Sequence, residues 1–255
     1  MPLFARRKGQ AFDKTGRAAM TENISLAETE RAEELLVGGF RVVQDVNLYR
    51  FTSDSVLLSR FARAKKGDEV ADFCSGCGIV AFHFYALHPE LKGRFTLFEM
   101  QESLSRLAEK TIALNGWENF SAVCMKIQDL GAEYRGKFSL VLCNPPYERG
   151  GPENDDPHKA LCRREISVCL QDIAVAAAFA LRQGGRICLV NRADRLAEVC
   201  YTFRAAGIEI KRVQFVAGRA GTKPYLLLAE GVKGGKSGTE ILPALSNEGS
   251  VGGTL

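Results

Sequence analysis

The chain has 255 residues, of which 46% are hydrophobic and 25% are charged, and its net charge is +4 at pH 7. These values are typical of a globular protein with one large α/β domain, and they exclude a disordered or fibrous chain. No apolar run reaches the roughly 18 residues that span a bilayer, and the eight scattered cysteines favour reduced thiols, so we expect a cytoplasmic protein that does not enter the membrane.

The first predicted elements lie before residue 50. Residues 1–27 are polar and charged without a sustained period, and we expect them to form a flexible N-terminal tail. The apolar spacing over 28–36 predicts a short helix that ends at Gly38-Gly39. Residues 40–46 alternate as a strand does.

A second helix is predicted just before the main alternation of elements. Thr52-Ser53-Asp54-Ser55 supplies N-cap residues for an amphipathic helix that follows them. We therefore expect one domain over 28–243, with a cap segment over 28–66 and a core over 67–243. A flexible tail is expected over 244–255, and fraying is expected from Gly231 onwards.

From residue 67 onwards, strands alternate with helices, which predicts an α/β fold with a seven-stranded, mostly parallel sheet and right-handed crossovers. The last two strands are expected to form an antiparallel hairpin at one edge. The predicted strands are 69–73, 95–98, 122–127, 138–143, 186–190, 208–216 and 225–229. The predicted helices are 79–87, 103–114, 166–181 and 195–206.

A glycine-rich turn, from Asp72 to Gly78, closes the first of these strands and opens a helix. Gly76 and Gly78 let the backbone approach a ligand closely at the carboxyl end of the sheet. The turn lacks the third glycine of the dinucleotide fingerprint, which disfavours hydride transfer. The sequence has no Gly-Lys-Ser/Thr either, which excludes a P-loop nucleotide triphosphatase.

Cys74 and Cys77 lie in the same turn and have the Cys-x-x-Cys spacing of zinc and redox sites. A structural zinc site needs a second ligand pair, and the sequence offers none. A redox pair that opens a helix after a strand fits the position. However, the intervening Ser-Gly belongs to the glycine turn, so packing of small residues is the better interpretation, and we expect no metal.

Two acidic residues follow the next two strands. Glu99 ends the second strand, where a carboxylate can accept hydrogen bonds from both hydroxyls of a ribose. Asp129 follows the third strand, where it can accept a hydrogen bond from the amino group of an adenine. Each acid alone is equally well explained as a helix cap or a solvated loop residue.

Asn144-Pro145-Pro146-Tyr147 follows the fourth strand and is the most specific motif in the chain. The two prolines make the backbone rigid, and the carbonyl of Pro145 remains free to bond a ligand. With the Asn144 amide it can accept two hydrogen bonds from a planar amino group while Tyr147 stacks on the attached ring. This arrangement fits an adenine, a guanine or a primary amide.

These motifs resemble those of the class I S-adenosylmethionine-dependent methyltransferases with an Asn-Pro-Pro-Tyr motif. Over roughly 28–243, the chain resembles the bacterial family that methylates the adenine N6 of a valine tRNA next to its anticodon. The family-specific part of the resemblance is carried by Glu30-Arg31, Leu35-Leu36-Val37-Gly38-Gly39, Val43-Gln44-Asp45, Phe51-Thr52-Ser53-Asp54-Ser55-Val56-Leu57-Leu58, Arg163-Arg164-Glu165 and Lys223-Pro224. It implies S-adenosylmethionine as cofactor and tRNA as partner.

The resemblance also implies a role for each motif residue. The cofactor's methionyl part is assigned to Asp72, Gly76 and Gly78, with Thr52 and Asp54 at its methionine end. The ribose is assigned to Glu99, the adenine ring to Asp129, and Cys74 and Met100 complete the cofactor set. The substrate's amino group and base are assigned to the catalytic set Asn144, Pro145 and Tyr147, and the substrate contacts to Pro146, Arg163, Arg164 and Lys223.

Basic residues concentrate in the second half of the chain, where residues 182–236 contain eleven Lys and Arg against four Asp and Glu. Such a region fits a polyanion that docks on one face, although a solvated surface explains it as well. The candidates for phosphate contact are Lys159, Arg163, Arg164, Arg219, Lys223, Lys233 and Lys236.

Three other functions remain open from the sequence. The same motif serves enzymes that methylate a glutamine amide in release factors, but those carry a separate helical N-terminal domain. A guanine-N2 methyltransferase of ribosomal RNA is a second alternative. A non-catalytic RNA-binding module with a retained fold is the third, and the intact motifs speak against it.

Overall fold

The computed structural model describes residues 24–35, 37–48, 53–146 and 168–246. The strands in this part of the chain are β1 Glu30–Glu34, β2 Arg41–Asp45, β3 Val70–Phe73, β4 Phe95–Glu99, β5 Phe120–Cys124, β6 Phe138–Cys143, β7 Leu181–Arg192, β8 Ile208–Ala217, β9 Pro224–Lys233, β10 Glu240–Ile241 and β11 Leu245–Ser246. The helices are α1 Ser53–Phe61, α2 Ile79–Leu87, α3 Glu102–Leu114, α4 Leu170–Ala180 and α5 Leu196–Ala205.

In the described part of the chain the main sheet has nine strands, two more than predicted: seven follow the order β5-β4-β3-β6-β7-β9-β8, and the short strands β10 and β11 both pair with β8. Adjacent strands from β5 to β7 are parallel, whereas β9 is antiparallel to both β7 and β8. This confirms the predicted α/β class and the antiparallel hairpin near the C-terminus. The centre of the sheet is the β3–β6 pair, where the strand order reverses, and ligands bind at such switch points.

The segment after Gly231 differs from the expectation that it frays. Strand β9 continues to Lys233, and the two-residue strands β10 and β11 then pair with β8 in parallel. The Leu242 N–H also donates to the Val213 carbonyl at 2.8 Å. An edge strand presents unpaired backbone groups, and this segment covers those of β8.

Apolar side chains pack on both faces of the sheet. Helices α1, α2 and α3 cover one face with residues such as Leu58, Phe82 and Leu107, which are fully or almost fully buried. Helices α4 and α5 cover the other face with Ile173 and Phe203. Both faces of the parallel strands are therefore dry, and polar groups that bind a ligand are confined to the strand ends.

The predicted helix over 28–36 is wrong, because β1 forms an antiparallel hairpin with β2. Gly38 and Gly39 make the connection with φ values of 78° and 66°, a left-handed conformation that favours glycine. Glu, Ala and Leu are good helix formers, and their spacing over this segment also suits a helix. Pairing with β2 outweighs that local preference.

Two side chains, one in α3 and one at its C-terminal cap, hold the hairpin in place. The Thr111 hydroxyl accepts a hydrogen bond from the Val43 N–H at 2.9 Å. One turn later, the Asn115 side-chain oxygen accepts from the Arg41 N–H at 3.1 Å, and its amide nitrogen donates to the Arg41 carbonyl at 2.7 Å. The hairpin thus joins the main domain through polar contacts to its backbone.

Two buried arginines tie the C-terminal end of α1 to the sheet. Arg212 in β8 donates to the Phe61 carbonyl at 2.7 Å and to Glu230 at 3.1 Å. Arg186 in β7 donates to the Arg63 carbonyl at 2.6 Å. The last carbonyls of a helix lack partners within the helix, so the contact with Phe61 satisfies one of them, and the contact with Arg63 holds the residues that follow α1.

Candidate active site

The glycine turn between β3 and α2 has the left-handed backbone that its glycines predict. The φ values are 57° at Gly76 and 88° at Gly78. A Cβ at Gly78 would lie 2.5 Å from both Leu97 and Phe82, so a larger residue is excluded there. A Cβ at Gly76 would meet nothing within 4 Å, so that side of the turn is open to a ligand.

Glu99, at the end of β4, holds this turn. One carboxylate oxygen accepts a hydrogen bond from the Gly76 N–H and the other from the Gln101 N–H, both at 2.9 Å. The side chain is buried. Each carboxylate oxygen can accept a second hydrogen bond, so Glu99 retains the capacity to bind two hydroxyls of a ribose.

Asp72, within β3, is buried and only half satisfied. Its Oδ2 accepts from the Ala81 N–H at 3.1 Å, whereas Oδ1 has no partner among the described residues. Burial, with a smaller contribution from the Glu99 charge, raises the pKa of Asp72 to about 8. The Ser75 hydroxyl in the same turn is also buried and lacks a partner within the described part of the chain.

These groups fit the cofactor that the sequence resemblance implies. An unsatisfied buried polar atom costs about 1–3 kcal/mol, so native proteins rarely leave two of them in one turn unless a ligand completes them. S-adenosylmethionine carries an ammonium, a carboxylate and two ribose hydroxyls. The unpaired atoms of Asp72 and Ser75, the open side of Gly76 and the spare acceptor capacity of Glu99 match that set.

The cysteines of the turn have the properties of packing residues. Cys77 is buried, and burial raises the pKa of its thiol to about 11, opposite to the shift that activates a redox thiolate. Cys74 is half-buried with φ 56°. The described residues contain no group of three or more His, Cys, Asp or Glu side chains that could hold a metal ion.

Asp129 lies further from its strand than predicted. Strand β5 occupies Phe120–Cys124 rather than 122–127, because Phe120 pairs with Phe95 at the start of β4. Asp129 then ends a short 3-10 turn, Ile127–Asp129, in which Ile127 is buried and the carboxylate is exposed. Met100, the other residue expected near the adenosine, follows Glu99 directly and is half-buried.

Asn144 follows the last residue of β6, beside the end of β3, where Phe73 pairs with Cys143. Its side-chain NH₂ donates to the Ser55 hydroxyl in α1 at 2.9 Å. The carbonyl oxygen of the same amide has no hydrogen-bond partner in the described part of the chain. Asn144 is half-buried, Pro145 is buried and Pro146 is exposed at the carboxyl end of the parallel strands.

Several predicted residues cannot be placed. Thr52, Tyr147, Lys159, Arg163 and Arg164 lie outside the described residues. Asp54 lies in the first turn of α1 and is buried, so it is part of the helix rather than its cap.

The remaining basic candidates separate into two groups. Arg219 and Lys223 are exposed in the connection between β8 and β9, which lies at the same end of the parallel strands as Asn144. Lys233 lies at the opposite end of the strands, where it donates to the Leu181 carbonyl at 2.7 Å. Lys236 follows it at that end. Arg219 and Lys223 are therefore separated from Lys233 and Lys236 by the length of β9.

Sequence reasoning did not assign two residues that the structure brings into this site. Ser75 lies inside the recognised glycine turn, and Ser55 belongs to the run that indicated a helix cap. A polar residue next to a motif glycine was a signal for Ser75. No sequence signal links Ser55 to Asn144, because they are 89 residues apart.

Comparison with known proteins places this geometry in a family context. A family model described as "Methyltransferase small domain" matches residues 52–202, which is more than half of the chain. A protein of Aeromonas hydrophila named tRNA1(Val) (adenine(37)-N6)-methyltransferase is 28% identical over 195 residues, covering 71% of this chain and 81% of that protein. A protein of the same name from Shewanella sp. (strain MR-4) is 22% identical over 190 residues, with coverages of 70% and 77%.

Solved structures agree on the fold. A predicted O-methyltransferase from Agrobacterium tumefaciens has a TM-score of 0.58 at 18% identity, and the match covers 76% of this chain and 88% of that chain. TYW2 from P. horikoshii, solved in complex with MeSAdo, has a TM-score of 0.56 at 16% identity, with coverages of 82% and 73%. No helix in the described ranges has both the length and the apolar character that crossing a membrane requires.

Proposed function

Because this chain belongs to the methyltransferase small domain family and takes S-adenosylmethionine as its cofactor, we propose that it methylates the exocyclic N6 amino group of an adenosine in tRNA. The proposed target is the adenosine next to the anticodon of a valine tRNA. Support for this target comes from the names of the two relatives compared above and from the Asn144-Pro145-Pro146-Tyr147 motif.

The observation that carries the proposal is the acceptor end of Asn144 at the edge of β6. Its side-chain oxygen and the Pro145 carbonyl would accept the two hydrogens of an adenine amino group. The lone pair of that nitrogen is normally delocalised into the ring. Two fixed acceptors favour a pyramidal nitrogen with its lone pair free, and each hydrogen bond contributes about 0.5–1.5 kcal/mol net. Tyr147 would stack on the ring and add about 1–3 kcal/mol.

The cofactor supplies a methyl group that its sulfonium already activates, so the protein's task is mainly to position the two reactants. Asp72, Ser75, Gly76 and Glu99 would hold the cofactor at the end of β3 and β4. Asn144 would hold the acceptor nitrogen on the neighbouring strand β6. The two groups of residues meet because β3 and β6 are adjacent and parallel.

The described histidines do not offer a general base. His83 is buried between α1 and α2, where its Nδ1 lies 2.7 Å from the Ser59 hydroxyl, and burial lowers the pKa of its imidazole to about 4. His88 caps the other end of α2 beside Glu90. The proposed mechanism needs no such base, because the amino proton can leave to solvent after the methyl transfer.

A tRNA partner is supported by the charges at the same edge. Arg219 and Lys223 are exposed in the connection between β8 and β9, at the same end of the parallel strands as Asn144, where they could contact phosphates of the tRNA. The target has to enter the pocket as an unstacked base, which is least costly for a nucleotide that is already unpaired in a loop.

The proposal is tested by incubating the purified protein with methyl-labelled S-adenosylmethionine and total bacterial tRNA, then digesting the RNA to nucleosides. N6-methyladenosine is the expected product. A valine tRNA transcript should accept the label, and the same transcript with guanosine at the anticodon-adjacent position should not. In parallel reactions with a release factor or ribosomal RNA, label on a glutamine or as N2-methylguanosine would replace the proposed substrate. RNA binding without any transfer would indicate a binding module.

A further inference from the structure

We propose that Ser55 is a positioning residue that sets which end of the Asn144 amide faces the substrate. This inference rests on the proposed function, because it concerns how the acceptor nitrogen is held. Its basis is the 2.9 Å hydrogen bond from the Asn144 side-chain nitrogen to the Ser55 hydroxyl.

The two ends of a carboxamide have opposite hydrogen-bonding roles, and only one of them suits an amino-group substrate. With its nitrogen bonded to Ser55, Asn144 presents its oxygen, which accepts the substrate's N–H. Rotating the amide by 180° would place two donors against the donors of the substrate. A serine hydroxyl can accept or donate, and here it accepts from the Asn144 nitrogen, so this contact holds the amide in the orientation that presents its oxygen to the substrate.

The Ser55 hydroxyl can do this because its own position is fixed. The residue is 2% exposed, so its rotamer is held by the surrounding packing. The end of the helix is held by the contact between Arg212 and the Phe61 carbonyl. Helix α1 is thus anchored to the sheet at its C-terminal end, and Ser55 lies on it next to the end of β6.

A triplet of variants separates positioning from folding. Ser55→Ala removes the hydroxyl at the catalytic strand. Ser55→Thr keeps a hydroxyl at the same atom position. Ser59→Ala removes a buried hydroxyl one helical turn away and serves as the matched control, because among the described residues this hydroxyl bonds the Val56 carbonyl in α1 and His83 in α2.

The expected result for Ser55→Ala is a fall in kcat of about 10- to 100-fold, the size of effect that a misplaced reactive group produces. The KM for tRNA and the Kd for S-adenosylmethionine should stay within about twofold, since neither binding energy changes by a full hydrogen bond. Ser55→Thr should restore most of the kcat. Ser59→Ala should lower the Tm but keep the kcat.

A second readout does not depend on the substrate. In ¹⁵N-labelled protein, the side-chain NH₂ signals of Asn144, assigned by their loss in Asn144→Asp, should shift or broaden in Ser55→Ala and remain unchanged in Ser59→Ala. A wild-type protein that methylates no RNA overturns the proposed function, and these signals then still decide the orientation. Unchanged signals in Ser55→Ala, or a wild-type kcat for that variant in an active enzyme, overturn the role of Ser55.

Discussion

The carboxylate of Glu99 accepts a hydrogen bond from the backbone N–H of Gly76 at 2.9 Å, so the end of β4 fixes the glycine turn that follows β3. The acid has two tasks in one place. It shapes the turn through its contact with Gly76, and under the proposed function its remaining acceptor capacity serves the cofactor's ribose. Substitutions at this position therefore test whether the turn and the cofactor depend on the same group.

Glu99→Gln should weaken S-adenosylmethionine binding about 10- to 100-fold, as measured by isothermal titration calorimetry. A glutamine amide accepts at only one end, so either the Gly76 or the Gln101 N–H loses its partner. The loss of a hydrogen bond to a charged acceptor costs about 1.5–3 kcal/mol. Glu102→Gln is the matched control, since Glu102 begins the next helix and forms only an exposed pair with Arg106. An unchanged Kd for Glu99→Gln contradicts the assignment.

Asp72→Asn should change how stability depends on pH. The folded-state pKa of about 8 lies above the ordinary value of 3.8, so the folded protein retains a proton that the unfolded chain has lost. The stability contribution of this proton is fully present below about pH 4 and is lost as the pH rises to about 8.

The Tm of the wild type without cofactor should therefore fall relative to that of Asp72→Asn between pH 5 and pH 8, and the difference should level off above that range. Thermal melts at unit pH steps measure it. Saturating S-adenosylmethionine should reduce the difference, because a cationic ligand beside Asp72 favours the ionised carboxylate. A constant gap across the range would mean that Asp72 ionises normally in the fold.

Asn144→Ala should lower kcat about 100- to 1,000-fold and leave the Kd for S-adenosylmethionine unchanged. The variant removes an acceptor that is already oriented towards the reacting nitrogen. Removal of one such oriented polar group from an enzyme active site typically lowers kcat by this amount. Single-turnover methylation of valine tRNA and calorimetry with the cofactor measure the two quantities. An equal loss of cofactor affinity would place Asn144 in the cofactor site instead.

Lys223→Glu should weaken tRNA binding about five- to tenfold at physiological salt. It should also reduce the slope of log affinity against log salt concentration by about one. The control is Lys92→Glu, which makes the same change of charge at an exposed site before β4, at the amino end of the parallel strands. Filter binding at several salt concentrations distinguishes the two. Similar losses for both variants would indicate a general effect of charge rather than a docking edge.

The elements that the sequence predicts best are those whose local pattern and tertiary surroundings agree. The predicted bounds of α2 and β6, 79–87 and 138–143, are those of the structure. Both are apolar elements bounded by glycine, proline or polar residues. The helix predicted over 28–36 failed because pairing with β2 and the α3 side chains decides the structure of that segment, and neither is visible in a local window.

In the candidate site, too, the local sequence predicts some features and tertiary packing decides others. The chain itself marks Asp72, Gly76, Glu99 and Asn144, because each follows or ends an apolar run at the carboxyl edge of a parallel sheet. The hydrogen-bond partners of these residues, in contrast, could not be predicted from the sequence. The contact of Glu99 with Gly76 joins two strands, and that of Asn144 with Ser55 joins a strand to a helix, so both depend on packing that residue spacing does not encode.

The adjacency of β3 and β6 also has a consequence for how the protein folds. Val70 pairs with Leu140, 70 positions later in the chain, whereas the strands β3, β4 and β5 pair with near neighbours in sequence. Closing so long a loop is entropically costly and slow relative to local pairing. The half proposed to bind the cofactor, which ends at β5, and the half that carries Asn144 come together only when this pairing forms, so under the proposed function methyl transfer would report on the β3–β6 pairing.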